Sequence, residues 1–445
     1  MASRSKAGAA LAALREDLTG DVFAPGEPGY DEARTVFNAM VDRRPAVIAR
    51  CAHEADVVRA VRFARDLDLH IAVRGGGHGV AGSALGDGAL VVDLRRMHKV
   101  TVDPAAEAVR VEGGATMSHL DRATRPYGLA TAGARDSAIG VAGFVLGGGT
   151  GWLDRALGLA VDNLIGVELV TADAERVHAN PDENPELFWA LHGGGGNFGI
   201  ATALTLELHE LPEFSVALLL HLPEFGREVV RAFREIIRTG PDQVGGAVVY
   251  LTADRPVCGA LLTYAGGEAD LRKLAEPLLA LPHEAELVGA EARRLLDAPA
   301  GLRAHWSAEC LTGLPDELVD VFSARAEAMP VPSGSRHMLF PLGGAVATGP
   351  AAYPVAYRDA PWVVRPFARW ADPADDERAA AWVRDARADV RSWSTGAVCL
   401  SLVGDEGPDR VRAGLGAGNL LRLEKVKRTY DPDNVFRFNH NIKPV

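Results

Sequence analysis

Apolar and polar positions follow two different textures along the chain. In the first, short strand-like runs, Pro45-Ala46-Val47-Ile48-Ala49-Arg50, Ile71-Ala72-Val73 and Leu90-Val91-Val92-Asp93-Leu94, flank a segment from Glu54 to Asp66. There Val57, Ala60, Val61 and Ala64 recur at helical spacing and form one apolar face. The order is strand, helix, strand, glycine-rich loop, strand. Residues 1–40 read as a helical lead-in with a turn at Pro25-Gly26-Glu27-Pro28. Further on, Val109-Arg110-Val111-Glu112 alternates as a half-buried strand, and Met117 to Tyr127 reads as a helix stopped by Gly128. Val167 to Thr171 reads as a strand, and Asn184-Pro185 opens a helix with proline at its first position. The next strand points Leu204, Leu206 and Leu208 inward and Thr205, Glu207 and His209 outward.

The second texture starts near Leu211-Pro212, where the glycine clusters stop. From there to about residue 405, predicted strands (216–222, 247–251, 259–264, 337–342, 398–402) alternate with predicted helices (227–238, 268–281, 316–328, 375–391). Antiparallel strands with helices on one face fit this spacing. Residues 420–445 hold a basic helix and then an Asn- and Pro-rich stretch, which reads as an ordered loop.

At 445 residues the chain exceeds the usual size of a single core, so two domains are expected. The net charge of −12 argues against nucleic acid or an anionic membrane as partner. No apolar run approaches the roughly 18 residues of a membrane span. Cys51, Cys258, Cys310 and Cys399 are scattered, with no C-x-x-C, so neither a metal site nor a disulfide framework is expected. The N-terminal Ala-rich stretch runs straight into Arg15, Glu16 and Asp17 and reads as a surface helix, not a leader; a cytoplasmic location is expected.

Three glycine clusters in the first 200 residues need an explanation. The loop Arg74-Gly75-Gly76-Gly77-His78-Gly79 follows a strand and can form a nest of N–H groups for a diphosphate, or serve simply as a turn carrying a histidine. Residues 132–151 hold glycines 133, 140, 143, 147, 148, 149 and 151, too many for a stable long helix. Gly193 to Gly196 form the third cluster. None of them has the spacing of a Rossmann fingerprint, a P-loop or a nucleophile elbow.

The run from Arg74 to His78, Gly133 to Gly151, Trp152-Leu153-Asp154-Arg155, Glu186-Leu187-Phe188-Trp189-Ala190, Gly193 to Gly199, and the ending Tyr430-Asp431-Pro432-Asp433-Asn434 with Asn439 and Asn441 resembles the berberine bridge enzyme-like flavoproteins of the vanillyl-alcohol oxidase superfamily. The resemblance spans about residue 40 to the end. It implies an α+β fold: a two-lobed, PCMH-type FAD-binding domain of two α/β subdomains over residues 1–210 (core 40–210), a substrate domain of antiparallel sheet backed by helices over 211–405, and a segment, 406–445, that returns to the FAD domain. It implies FAD as cofactor, tethered by His78 through the flavin 8α-methyl. Asp136 stands where many members carry a cysteine that forms a second link, so a single link is expected. Arg74, Gly75, Gly76, Gly77, Gly79, Ser83, Gly133, Asp136, Ser137, Ile139, Gly140, Gly143, Gly147, Gly149, Gly151, Ile200, Asn439 and Asn441 become the candidate cofactor-binding residues, about half of the glycines being turns without ligand contact.

The family's usual base is a tyrosine in a Tyr-x-Asn motif. Cys399 and Ser401 stand at those two positions, and Tyr357, before Arg358-Asp359, is a replacement candidate; Tyr250, Tyr264, His305 and His337 are weaker ones. Tyr357, Cys399 and Ser401 are therefore the candidate catalytic residues. The reaction expected is oxidation of a small organic substrate, a secondary-metabolite intermediate such as one of antibiotic biosynthesis, by hydride transfer to flavin N5 with O2 as acceptor. The modest side chain of Val141 near the flavin does not forbid O2. The missing tyrosine keeps a cyclase or isomerase with a structural flavin as the alternative, and an inert flavin-binding protein as a third. No metal is expected, and the protein is expected to be a monomer or homodimer.

Overall fold

The computed structural model describes residues 2–252, 256–289, 300–329 and 334–445. Strands β1 (Asp21–Phe23), β2 (Val47–Arg50), β3 (Ile71–Arg74) and β4 (Leu90–Asp93) form a sheet in the order β1-β2-β4-β3. Strands β2, β4 and β3 pair in parallel, and their apolar runs suit burial on both faces. The helix Glu54–Asp66 covers one face with Val57, Val61 and Ala64. An antiparallel sheet follows: β5 (Val100–Asp103), β6 (Ala108–Glu112), β8 (Leu164–Val170), β9 (Arg176–Ala179) and β10 (Ile200–Glu207), in the order β5-β6-β10-β8-β9. In β10, Leu204 and Leu206 are buried while Thr205 and Glu207 are not, as the alternation predicts. A small ribbon pairs β7 (Leu129–Ala130) with β11 (His209–Glu210).

Strands β12 (Ser215–His221), β13 (Val244–Thr252), β14 (Pro256–Tyr264), β15 (Ala285–Val288), β16 (Arg303–Trp306), β17 (Glu309–Leu311), β18 (Arg336–Pro341) and β19 (Trp362–Trp370) make one antiparallel sheet. One face sends Leu219, Val248, Tyr250, Leu262 and Leu339 against the helices Gly226–Thr239, Asp316–Glu327 and Asp376–Asp389. The other sends Leu218, Val249, Leu261, Met338 and Phe340 against residues of the first 210, including Val141, Leu159 and Leu187. The chain is thus α+β, with antiparallel sheets dominating.

Residues 417–445 return to the N-terminal part. Arg422 pairs with Glu186 and lies over the Trp189 ring at 3.8 Å. Lys427 is fully buried, and its Nζ donates to Asn197 O (2.8 Å), Phe436 O (3.0 Å) and Asp431 Oδ2 (2.6 Å). Asp431 also accepts the N–H groups of Val435 and Phe436, so every polar atom of this buried pair has a partner.

Three predicted elements differ. The predicted strand 398–402 is a single 3-10 turn, Leu400–Leu402, between extended segments. Its backbone is tied locally (Leu402 N to Cys399 O) and to the tail (Leu400 O to His440), not to a neighbouring strand. The helix predicted over 268–281 breaks into Glu268–Leu274 and Glu276–Leu279, because Pro277 has no N–H to continue the ladder. The helix from Met117 ends at Thr124 and tightens into a 3-10 turn, Arg125–Tyr127, at Pro126.

Candidate functional site

Two glycine loops meet at backbone contact. A Cβ on Gly76 would lie 2.4 Å from Gly140 N. Only glycine allows this approach, and it brings the loop after β3 beside the start of the short helix Val141–Leu146. Between them and the third cluster, Gly193–Gly196, runs a cavity of about 350 Å³. Gly79, Gly143, Gly195 and Gly196 line it, and no atom lies within 4 Å of where their Cβ atoms would be. Side chains there would fill the cavity itself, so the walls are bare backbone, suited to a flat or phosphate-bearing ligand.

His78 sits on this wall, stacked on Phe37 (3.8 Å between ring centres, 21° between planes). Its Nε2 is buried, makes no hydrogen bond, and lies 3.8 Å from Asp136 Oδ2. Asp136 and His78 also border a smaller compartment of about 50 Å³ on the sheet side. The tail closes the cavity with Phe436, Phe438, Asn439 and His440. The side-chain carbonyl oxygens of Asn439 and Asn441 are buried without a partner; Asn439 is on the wall, where its oxygen is an acceptor for a ligand N–H, and Asn441 is not among the lining residues. His440 Nε2 donates to Leu400 O at 3.0 Å. A carbonyl only accepts, so Nε2 carries the proton and Nδ1 is left as an acceptor. Burial holds the His440 pKa below the usual range, keeping the ring neutral.

Of the predicted cofactor residues, Gly75, Gly76, Gly77, His78, Gly79, Ser83, Ile139, Gly140, Gly143, Gly147 and Asn439 border the large cavity, and Asp136 the small one. Others stand elsewhere. Arg74 points away and donates to Ala33 O (2.7 Å) and Thr35 O (2.6 Å), bracing the loop from behind. Gly133 and Gly151 pack on each other, Gly149 packs on Phe144 and Ala160, and Ile200 is buried in β10. Ser137 is exposed, its carbonyl engaged by Ser118 N–H, and Val141 is buried in the core rather than on the wall.

The three predicted catalytic residues form a file leading inward. Ser401 lines the cavity; Cys399 Sγ, fully buried, lies 3.3 Å from Ser401 Oγ. The buried Tyr357 packs its hydroxyl against Gly148, next to the Cys399 thiol and off the cavity wall. Burial pushes the phenol well above its usual range and raises the Cys399 thiol. None of the three is a base at neutral pH. Tyr250 and His337 are buried on the helix side of the sheet, outside the site. Arg135, on the wall, lies 3.7 Å from Asp154 behind it, whose pKa burial lifts to about 7 against the pull of Arg135.

Sequence reasoning passed over His440, Trp306, Arg135 and Arg365, all on the cavity wall. Only His440 had a signal, its place between Asn439 and Asn441. Among the described residues no group of His, Cys, Asp and Glu could hold a metal ion, and no helix is long and apolar enough to cross a membrane.

Comparisons with known proteins bear on the bare-backbone cavity directly. Residues 45–180 match the family model described as FAD binding domain, and residues 407–443 the one described as berberine and berberine like. The FAD-linked oxidoreductase YgaK of Bacillus subtilis is 29% identical over 444 residues, covering 96% of this chain and 98% of that protein. The (R)-6-hydroxynicotine oxidase of Paenarthrobacter nicotinovorans is 39% identical over 200 residues, 45% of this chain and 44% of that one. The crystal structure of 6-hydroxy-D-nicotine oxidase from Arthrobacter nicotinovorans superposes with a TM-score of 0.86 at 28% identity, over 96% of this chain and 98% of that chain. The glycine-walled cavity with its unpaired acceptors fits FAD, and the chain is an FAD-dependent oxidoreductase that carries an FAD binding domain and a berberine-like C-terminal segment.

Proposed function

We propose that the protein is an oxidase of a small organic molecule, and that its FAD is bound covalently through His78 alone. The observation that carries the tether is the position of His78: on the cavity wall, clamped by Phe37, one ring nitrogen buried and unpaired beside Asp136. A ring nitrogen of His78 would hold the flavin through its 8α carbon, a bond whose formation would release one hydrogen from the imidazole and one from the methyl group, both taken by O2 as hydrogen peroxide. Asp136 cannot form the thioether that a cysteine there would make, which leaves one link.

FAD supplies the two-electron acceptor: hydride leaves a substrate C–H bond, and O2 takes up the electrons as peroxide. The chain's own residues hold and screen the site. The backbone N–H groups of Gly75 to Gly79 would receive the diphosphate, and Asn439 Oδ1 would accept from a ring N–H. His440, neutral with Nδ1 free to accept, takes the substrate's hydroxyl or amine proton in place of the absent tyrosine. We assign the substrate to secondary metabolism and the protein to the cytoplasm.

The test is His78→Ala. The variant should fold and bind flavin that acid precipitation releases, whereas the parent keeps its flavin. Acid-stable flavin in the variant would refute the assignment. The buried Cys399 and Tyr357 favour one other reading, a cyclase or isomerase whose flavin is structural. Anaerobic mixing with a turned-over substrate separates the two: bleaching supports the oxidase, and product without bleaching supports the cyclase.

A further inference from the structure

The small compartment beside His78 has a charge pattern that the flavin reading does not use. Cross-strand register places Met338 opposite Arg365 and Arg336 opposite Phe367, so all four side chains share the face of the sheet that looks at the glycine loops. Arg135 enters from the opposite wall. The described lining therefore carries three guanidinium groups against one carboxylate, Asp136, in a protein of net charge −12.

Arg365 is the telling member. Its guanidinium lies 5.4 Å from the ring centres of both Trp306 and Phe367. Among the described residues it makes no hydrogen bond and no ion pair, and its Nε is buried without an acceptor. Burial, reinforced by the nearby Arg135 and Arg336 and opposed more weakly by Cys399 and Asp136, drives its pKa down to about 10. By contrast, the buried Arg358 pairs with Asp162, and Arg303 pairs with Asp376. A cation withdrawn from water without a counter-ion is unfavourable unless an anion arrives. The fork of an arginine matches a carboxylate in two parallel hydrogen bonds, and the flanking Trp306, Phe367 and Met338 offer apolar surface to the body that bears it.

We propose that this compartment anchors the substrate, and that the substrate carries a carboxylate held by Arg365. The proposal rests on the reading that FAD occupies the cavity at His78. An anion in this place fixes one end of the substrate while the rest extends along the glycine-walled cavity.

The test titrates the holoenzyme with acetate, benzoate and phenylacetate, and with the matching amides, reading both flavin absorbance and melting temperature. At least one carboxylate should bind ten times more tightly than its amide. Arg365→Met should erase that preference and Arg365→Lys retain part of it, with flavin content unchanged in both. Amides that bind as well as every carboxylate would overturn the proposal. So would loss of flavin in Arg365→Met with unaltered carboxylate binding, since the guanidinium would then serve the cofactor's own anionic groups. Should the protein prove to hold no flavin at His78, the melting-temperature shift still reads the anion site, so the two failures are told apart.

Discussion

Substituting Gly76 by alanine tests the close approach on which the cavity depends. The added Cβ would fall 2.4 Å from Gly140 N and 2.7 Å from Gly140 Cα, where ordinary contacts begin at 3.4 Å. The obstacle is backbone, so no rotamer change relieves it, and the loops must part by about 1 Å, with an overpacking cost of about 1–3 kcal/mol. His78 lies two residues further along the same loop, and its stack on Phe37 at 3.8 Å moves with it. Gly79 is an internal control, because it lies on the same wall with no atom within 4 Å of its Cβ position. Gly79→Ala should stay within about 0.5 kcal/mol of the parent in stability, though its methyl enters the cavity. Urea unfolding of the two flavin-stripped variants measures the clash, and covalent flavin per chain, after expression with excess FAD, measures the placement of His78. Gly76→Ala should lose stability that Gly79→Ala keeps, and should incorporate several times less flavin than the parent. Equal unfolding midpoints for the two variants, with normal flavin in Gly76→Ala, would refute the account of the loops.

Lys427→Met leaves Asp431 buried without its cation and removes three hydrogen bonds; the expected loss is about 3–5 kcal/mol by denaturant unfolding, together with weaker flavin retention. Asp154, lifted to about 7 by burial, binds a proton in the folded state that the unfolded chain releases near pH 4. Its contribution is therefore complete at low pH and lost as pH rises through about 7. The stability of the parent relative to Asp154→Asn should fall across that window, and a difference that rises with pH would sink the assignment. With His440 as proton acceptor and its pKa held below the usual 6.5, kcat/KM should stay flat on the acid side until pH drops below that value. The limb should vanish in His440→Gln, and an acid limb above pH 6.5 would point to another base.

How far the molecule could be read in advance depended on which residues had local reasons to be where they are. The strands flanking Glu54–Asp66 and the alternation of β10 are set by periodicity, and both were legible; the parallel pairing of β2, β4 and β3 was not. The glycine loops were legible as a ligand cradle because glycine content marks bare backbone wherever it falls. Individual glycines were not: Gly149 and Gly151 serve packing while Gly143 faces the cavity, a difference that only the tertiary neighbours decide. Residues 398–402 misled because five mostly apolar residues look alike as a buried strand or a buried turn. Arg365 and Trp306 were invisible as site residues, since their place on the wall follows from strand register across β18, β19 and β16, which no local pattern encodes. Tyr357 was placed by its neighbour Arg358, and the ion pair of Arg358 with Asp162 does dock that segment, though with the phenol facing inward.

The clasp formed by Asn197 has a consequence in time. Its side chain donates to His440 O and accepts from Ile442 N–H, across separations of 243 and 245 residues. At a synthesis rate of about 5–20 residues per second, roughly 12–50 s pass between emergence of the third glycine cluster and emergence of the segment that covers it. During that interval the early loops exist without Asn439, His440 or the Lys427 pair. A cofactor meeting the nascent chain would find a groove open to water on one side. The cavity wall is therefore complete only once residues 436–440 have emerged and docked on the early loops.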